Sequence, residues 1–236
     1  RTAHARQIPL TGFCMGELGV PSRVLGAIFG NTLHYSFLGE KPVAPGQLSL
    51  QTLSEIYRIT RLNAQTRIFA LLGQPIEQSV GHIVHNAVFH ALNKNAIYVK
   101  FDLAPTELKD FFEAVKDLPF DGFSVTLPHK QAVLPYLQAI DSTAKNIQSV
   151  NTLIRRNDTE YAGYNTDAKG ALDAIERYMS LDDKVILVIG AGGTSRAIVY
   201  EALHRNARVM ITNRTPEKAE MLVAEFGNNL DPADKP

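Results

Sequence analysis

The sequence has little cysteine, no excess of either charge and no long apolar run. Cys14 is the only cysteine in 236 residues, so no disulfide can form within the chain and a reducing compartment fits best. The 24 basic and 24 acidic side chains balance, which leaves no basic field for a polyanion and argues against nucleic acid as a partner. No run reaches the roughly 20 apolar residues that cross a bilayer, so we expect no membrane-spanning segment.

The hydrophobic pattern predicts a globular α/β protein. Hydrophobic residues make up 45% of the chain and charged residues 20%. From residue 67 onward, short apolar strands alternate with helix-length segments, which indicates a parallel sheet with right-handed crossovers. Before that point, apolar runs at 10–15 and 33–38 predict two short strands, and the spacing over 45–59 predicts a helix. The polar residues 60–66 read as a linker.

A glycine-rich turn marks a dinucleotide site. An apolar strand at 185–189 leads into Gly190, Gly192 and Gly193 and then directly into a helix. Glycines let the backbone approach a pyrophosphate, and the helix N-terminus supplies N–H donors. Ala197 takes the close-packing position of the pattern. The alternative is a tight structural turn with no ligand, but the strand–turn–helix–strand setting favours the cofactor.

The end of the next strand predicts which dinucleotide is bound. Asn213, Arg214 and Thr215 follow this strand, where an NAD site usually places an acidic residue for the ribose hydroxyls. A guanidinium at this point can pair with a 2′-phosphate, which favours NADP. The alternative is that Arg214 is a solvated surface charge.

Six sequence blocks, in order, carry a specific resemblance. Residues 67–226 resemble the shikimate dehydrogenase family through GQPIEQS…HN (73–86), GFSVTLPHK (122–130), SVNTL (149–153), GYNTDAKG (163–170), GAGGTSRA (190–197) and NRT (213–215). The resemblance implies a shikimate-binding domain followed by a Rossmann NADP-binding domain. It also places Thr194 in the cofactor-binding block beside the glycines.

The resemblance implies that Lys130 and Asp167 are the catalytic pair. Oxidation of an alcohol needs a group that takes the hydroxyl proton as hydride leaves, and a lysine beside a carboxylate can do this. Asp167 follows a strand and opens a predicted helix, where it could also serve as an N-cap. Taken singly, a surface lysine and a structural cap would be the simpler readings. The order of the six blocks favours the catalytic one.

The same resemblance implies the contacts to substrate. Ser79 would bind the carboxylate of shikimate, and Thr126 and Asn151, together with Asp167, its ring hydroxyls. Two positions depart from the family pattern: Gly81 stands where a second serine is usual, and Ser124 where many members have asparagine. One hydrogen bond to the carboxylate is therefore missing. We expect His82 or an ordered water to replace it in part.

Residues 9–58 resemble the C-terminal end of a type I 3-dehydroquinate dehydratase, a (β/α)₈ barrel. The matching pieces are FCMGELGVPSR (13–23), AIFG (27–30) and APGQ (44–47). The resemblance implies that Arg23 pairs with a substrate carboxylate and that Gln47, Met15 and Phe29 line the same pocket. The Schiff-base lysine and catalytic histidine of that family are not in this chain, so we expect no dehydratase activity from these residues alone.

These observations predict four segments. Residues 1–60 are the barrel remnant, 61–66 a linker, 67–165 the shikimate-binding catalytic domain and 166–236 part of the NADP-binding domain. Only two strands follow Leu181, so we expect the chain as given to bind NADP weakly. The His82, His85 and His90 spacing does not put all three on one helix face, so we expect no metal site.

The predicted function is NADP-dependent reduction of 3-dehydroshikimate to shikimate within a bifunctional dehydratase–dehydrogenase. Two alternatives remain: a quinate/shikimate dehydrogenase with relaxed substrate choice, suggested by Gly81, and a catalytically silent relative that only binds ligand. The expected location is the cytoplasm, or a plastid if the chain is from a plant, because plant fused enzymes of this kind look similar.

Overall fold

The computed structural model describes residues 9–157 and 160–229. The chain divides into two compact units: Arg1–His129 with Ile154–Glu160, and Lys130–Leu153 with Tyr161–Pro236. Residues 1–8, 158–159 and 230–236 of the predicted domains lie outside the described residues. Within the described part, no helix is long and apolar enough to cross a membrane. The domain boundaries predicted from the sequence stay a prediction.

A parallel sheet forms the core of the first unit. Its strands are β1 (Arg67–Gly73), β2 (Ala96–Asp102) and β3 (Phe120–Val125), in the order β2-β1-β3 with parallel pairing. Helix α2 (Gly81–Ala91) connects β1 to β2, and a 3₁₀ turn (Pro105–Glu107) followed by α3 (Leu108–Val115) connects β2 to β3. Alternate side chains of β1 are fully buried, as expected of a central strand. The predicted strand–helix alternation is confirmed here.

The first sixty residues contain helical turns but not the two predicted strands. They form a 3₁₀ turn (Glu17–Gly19), helix α1 (Val20–Leu25), a π-helical turn (Thr52–Ile56) and a second 3₁₀ turn (Ile59–Arg61). The strands predicted at 10–15 and 33–38 are wrong: the described residues show a single bridge, Phe37 to Ser49. An extended segment becomes a strand only when a neighbouring strand satisfies its backbone groups.

The helix predicted over 45–59 begins later than expected. Gly46 has a φ of +71°, and a β-carbon there would lie 2.0 Å from the Gly16 carbonyl oxygen. The chain therefore turns at Gly46 instead of starting a helix at Pro45.

The predicted linker includes a buried side chain. The Thr66 hydroxyl is buried and donates to Asn95 Oδ1 at 2.7 Å.

The second unit begins with short elements. Helix α4 (His129–Ala132) starts at the last residue of the first unit and a 3₁₀ turn (Leu134–Tyr136) follows. Pro135 has no N–H to donate, so α4 does not continue through this segment as one helix. Strand β4 (Ala139–Ile140), helix α5 (Ser142–Ile147), strand β5 (Thr152–Arg155), whose first two residues belong to this unit, and strand β6 (Tyr161–Tyr164) complete this part.

The dinucleotide-type half of the second unit matches the prediction. Helix α6 (Asp167–Glu176) precedes β7 (Val185–Ile189), α7 (Gly193–His204), β8 (Arg208–Thr212) and α8 (Pro216–Asn229), and β7 pairs with β8 in parallel. Val188, Val199, Leu222 and Phe226 form a buried cluster between the strands and helices. Ala197 is fully buried against Ile147 and Ala168, the close packing predicted for it. The α/β fold class with a partial Rossmann domain is confirmed.

Candidate active site

A lysine–aspartate pair forms the centre of the candidate site. Lys130 Nζ lies 2.5 Å from Asp167 Oδ2, and the two side chains are 15% and 21% exposed. Lys130 is in the single turn of α4, and Asp167 is the first residue of α6. Both belong to the second unit. The pair is sheltered but reachable, as a proton-transfer site requires.

Two further side chains complete the cluster. Asn151 Nδ2 donates to Asp167 Oδ1 at 2.7 Å, so both carboxylate oxygens are engaged. Lys130 Nζ donates to Thr194 Oγ1 at 2.7 Å, and the Thr194 hydroxyl donates to Asp167 Oδ2 at 3.2 Å. Four residues singled out from the sequence therefore meet at one point. One of them, Thr194, lies at the start of α7, directly after the glycine-rich turn.

Asp167 is not the N-cap of α6, which corrects one sequence-based interpretation. The cap position is Thr166, whose own side chain makes no capping hydrogen bond. Two residues that the sequence blocks did not single out, Asn165 and Thr166, hold the chain in place at the start of α6. Asn165 Oδ1 accepts from the Asp167 backbone N–H at 3.0 Å, and Asn151 Oδ1 accepts from the Thr166 N–H at 3.1 Å. Their presence in the GYNTDAKG block was the available signal. The Asp167 carboxylate is thus left for Lys130.

The glycine-rich turn approaches the lysine closely. Gly190 has a φ of +117°, and its N–H donates to the Thr212 carbonyl at 2.7 Å. A β-carbon on Gly193 would lie 2.7 Å from Ser149 Oγ and 3.1 Å from Lys130 Cβ, so only glycine fits there. A β-carbon on Gly192 would meet nothing within 4 Å. The space over Gly192 and the N-terminus of α7 suit a phosphate group.

The residues after β8 also fit a phosphorylated ribose. Asn213 Nδ2 donates to the Thr215 carbonyl at 2.8 Å and holds this short turn in shape. Arg214 is exposed in the same turn. Its guanidinium is therefore free to reach an anionic ligand beside the turn. Together, Gly192, the N-terminus of α7 and Arg214 form a donor set that fits NADP.

Ser79 and Thr126 lie in the first unit, apart in the chain from the residues above. Ser79 Oγ accepts a hydrogen bond from the Gly81 N–H at 3.3 Å. Lys100 Nζ donates to the carbonyls of Ile76, Glu77 and Ser79 at 3.1, 3.4 and 3.2 Å and so fixes the loop. Burial lowers the pKa of Lys100, while Asp102 and Glu77 oppose this shift. Thr126 directly follows β3, where its N–H donates to the Leu72 carbonyl.

The residues of helix α2 have separate surroundings. His82 stacks on Tyr57, and His85 stacks on Tyr98 with ring centroids 4.2 Å apart. Burial, followed by the charges of Arg58 and Arg61, lowers the pKa of His90. Asn86 is fully buried, and its side-chain amide pairs with the backbone of Tyr98 at 2.8 and 2.9 Å. This pairing ties helix α2 to strand β2.

Arg23 is buried near one residue of the predicted dehydratase pocket, Met15. Its Nη2 donates to Met15 Sδ and to the Pro45 carbonyl, both at 3.4 Å, and its guanidinium lies 4.4 Å from the Phe13 ring centroid. Gln47 Oε1 instead accepts from the Val43 N–H at 3.2 Å, and Phe29 is exposed. The structure therefore brings Arg23 and Met15 together. It shows Gln47 in a local turn contact.

Three family models match the chain. The type I 3-dehydroquinase model matches residues 1–64. The shikimate dehydrogenase substrate-binding domain matches residues 71–153, and the shikimate/quinate 5-dehydrogenase model matches residues 173–234. The order is the one that the sequence blocks indicate.

Two similar curated proteins extend well beyond this chain. The shikimate biosynthesis protein AroDE of Chlamydia pneumoniae is 38% identical over 91% of this chain and 45% of its own length. The chloroplastic bifunctional 3-dehydroquinate dehydratase/shikimate dehydrogenase of Arabidopsis thaliana is 37% identical over 94% of this chain and 39% of its own length. The chain thus spans less than half the length of these curated relatives.

Solved structures resemble the dehydrogenase part. A shikimate dehydrogenase in complex with NADP+ matches 72% of this chain and 58% of its own, with a TM-score of 0.67 and 41% identity. The enzyme of Thermus thermophilus, in complex with NADP(H) and shikimate, matches 68% of this chain and 61% of its own, with a TM-score of 0.62 and 33% identity.

Proposed function

Since the chain belongs to the type I 3-dehydroquinase family in residues 1–64 and to the shikimate dehydrogenase family in residues 71–153 and 173–234, we propose that the whole protein is bifunctional. Its dehydrogenase part reduces 3-dehydroshikimate to shikimate with NADPH. The observation that carries this proposal is the cluster of Lys130, Asp167, Asn151 and Thr194. A module that only binds ligand has no need for a proton-transfer pair.

The geometry of the cluster supports the chemistry. NADPH, when bound, supplies the hydride. Lys130 Nζ holds a proton and gives it to the substrate oxygen as that oxygen gains negative charge. Asp167, 2.5 Å away, keeps the ammonium oriented, and Asn151 holds the carboxylate from the opposite side. In the reverse direction the same groups take the hydroxyl proton.

The remaining contacts follow from the family. Ser79 binds the carboxylate of the substrate, and Thr126, Asn151 and Asp167 bind its ring hydroxyls. Gly190, Gly192, Gly193 and Thr194 hold the cofactor phosphates, while Asn213, Arg214 and Thr215 hold the phosphorylated ribose and select NADP. Short hydroxyl and amide side chains suit a small polyhydroxylated acid because they offer directional donors and acceptors.

We place the protein in the cytoplasm, or in a plastid if it comes from a plant.

The second candidate function is a quinate/shikimate dehydrogenase with relaxed substrate choice. The observation that favours it is Gly81, where a β-carbon would have only ordinary contacts, the nearest to Ser79 Oγ at 3.4 Å. A serine side chain is absent there, and a substrate with one more hydroxyl needs room at its carboxylate end. The ratio of kcat/KM for quinate to that for shikimate separates the two candidates.

The experiment that tests the proposal is shikimate-dependent reduction of NADP by the full-length protein. We expect turnover with shikimate, and turnover with NADP well above that with NAD. Turnover with quinate alone would move the assignment to the second candidate. Binding of shikimate without turnover of either acid would contradict the proposal and leave a silent relative.

A further inference from the structure

The phenol of Tyr98 reaches the space beside Gly81. A β-carbon built on Gly81 would lie 3.4 Å from Ser79 Oγ, 3.8 Å from Tyr98 Cε1 and 3.9 Å from the Tyr98 hydroxyl. Ser79 and the phenol therefore flank the position where the family usually has a second serine.

Tyr98 is held in one orientation by contacts to its backbone and ring. Its N–H and carbonyl pair with the buried amide of Asn86 at 2.8 and 2.9 Å. Its ring stacks on His85 with an interplanar angle of 8° and packs in the cluster with Leu71 and Ile76. The side chain is 3% exposed. A hydroxyl fixed this firmly loses little entropy when it binds a ligand.

The second departure from the family pattern, Ser124, contacts the same phenol. Burial raises the pKa of Tyr98, and a hydrogen bond with Ser124 opposes that rise. A phenol hydroxyl both donates and accepts, so Tyr98 can bond to Ser124 and to a second group at the same time. Both departures from the family pattern, at 81 and 124, thus lie beside one hydroxyl group.

We propose that the Tyr98 hydroxyl donates a hydrogen bond to the substrate carboxylate, in the place of the serine that Gly81 lacks, and that Ser124 orients it. Tyr98 is then a specificity-determining residue that acts beside Ser79. This inference rests on the proposed function, because it takes shikimate as the substrate and Ser79 as its carboxylate contact.

The test is a double-mutant cycle in the full-length protein. Tyr98→Phe should raise KM for shikimate about tenfold, the loss expected for one hydrogen bond to a charged group, with kcat changed less than about twofold. In a Gly81→Ser background, which the ordinary contacts at Gly81 accommodate, the same substitution should raise KM less than about twofold, because the new hydroxyl supplies the bond. Tyr57→Phe, which alters another buried tyrosine beside a histidine of α2, is the matched control and should leave KM unchanged.

A substrate without the carboxylate charge separates this role from a structural one. With the carboxamide of shikimate, Tyr98→Phe should change KM less than about twofold, since the charged acceptor is gone. An equal rise in KM in both backgrounds, or for both substrates, would overturn the inference and assign Tyr98 to packing. Turnover by the parent protein with an unchanged KM in Tyr98→Phe also overturns it, while the proposed function stands. Absence of turnover in the parent refutes the proposed function first, and this inference with it.

Discussion

Two sheltered cations, Lys130 and Arg23, have opposite surroundings. Lys130 has a carboxylate at 2.5 Å and a hydroxyl at 2.7 Å. Arg23 is 5% exposed, and no carboxylate among the described residues lies within salt-bridge distance of it. Its Nη2 contacts are to a thioether and a carbonyl, and its buried Nε has no hydrogen-bond partner in the described part of the chain.

The difference indicates what each cation is for. A cation beside its own carboxylate is already paired, and the carboxylate holds the proton-bearing nitrogen in a fixed position. A buried guanidinium without a carboxylate has unused donors, and its burial is costly until an anion arrives. Lys130 therefore fits proton transfer, and Arg23 fits the binding of a ligand carboxylate, as the dehydratase family implies.

The largest effect should come from removing the paired cation. Lys130→Ala in the full-length protein should lower kcat for shikimate oxidation by about 10²–10⁴-fold, the usual contribution of a positioned acid–base group. Shikimate binding, measured by calorimetry, should persist because Ser79 and Thr126 are untouched. Lys169→Ala, at an exposed lysine of α6, is the control and should keep full turnover. A kcat within about tenfold of the parent would contradict the assignment.

The next effect concerns the cation without a carboxylate. Arg23→Ala should raise KM for 3-dehydroquinate about 10–100-fold in the dehydratase reaction of the full-length protein, because a charge-assisted pair to substrate is lost. Turnover of shikimate should not change. Arg61→Ala, at an exposed arginine of the first unit, should affect neither reaction. Unchanged dehydratase kinetics in Arg23→Ala would contradict the inference that this guanidinium binds a ligand carboxylate.

The smallest effect should come from removing the Thr194 hydroxyl, which accepts a hydrogen bond from Lys130 Nζ. Thr194→Val should lower kcat only about threefold to tenfold, since Lys130 keeps Asp167 as its main partner. Thr143→Val in α5 serves as a control of similar shape change. Steady-state kinetics with saturating NADP measures the difference. A loss as large as that of Lys130→Ala would mean that Thr194, and not Asp167, orients the lysine.

The sequence predicted the dehydrogenase part well because strand and helix periods are local. The alternation from residue 67, the glycine-rich turn and the meeting of Lys130, Asp167 and Asn151 all agree with the structure. The strands at 10–15 and 33–38 failed because an apolar run does not reveal whether a neighbouring strand exists. The contact of Thr194 with Lys130, and of Tyr98 with Ser124, could not be predicted because contacts between residues far apart in the chain leave no period in it.

The absence of a side chain at Gly193 limits which substitutions this position can accept during evolution. Its missing β-carbon leaves the room that Ser149 Oγ and Lys130 Cβ occupy, 2.7 and 3.1 Å from where that carbon would be. A mutation to alanine would thus disturb both the glycine-rich turn and the position of Lys130 at once. Both requirements depend on the absence of one side chain, so even alanine is disfavoured at Gly193. A β-carbon on Gly192 beside it would meet nothing within 4 Å.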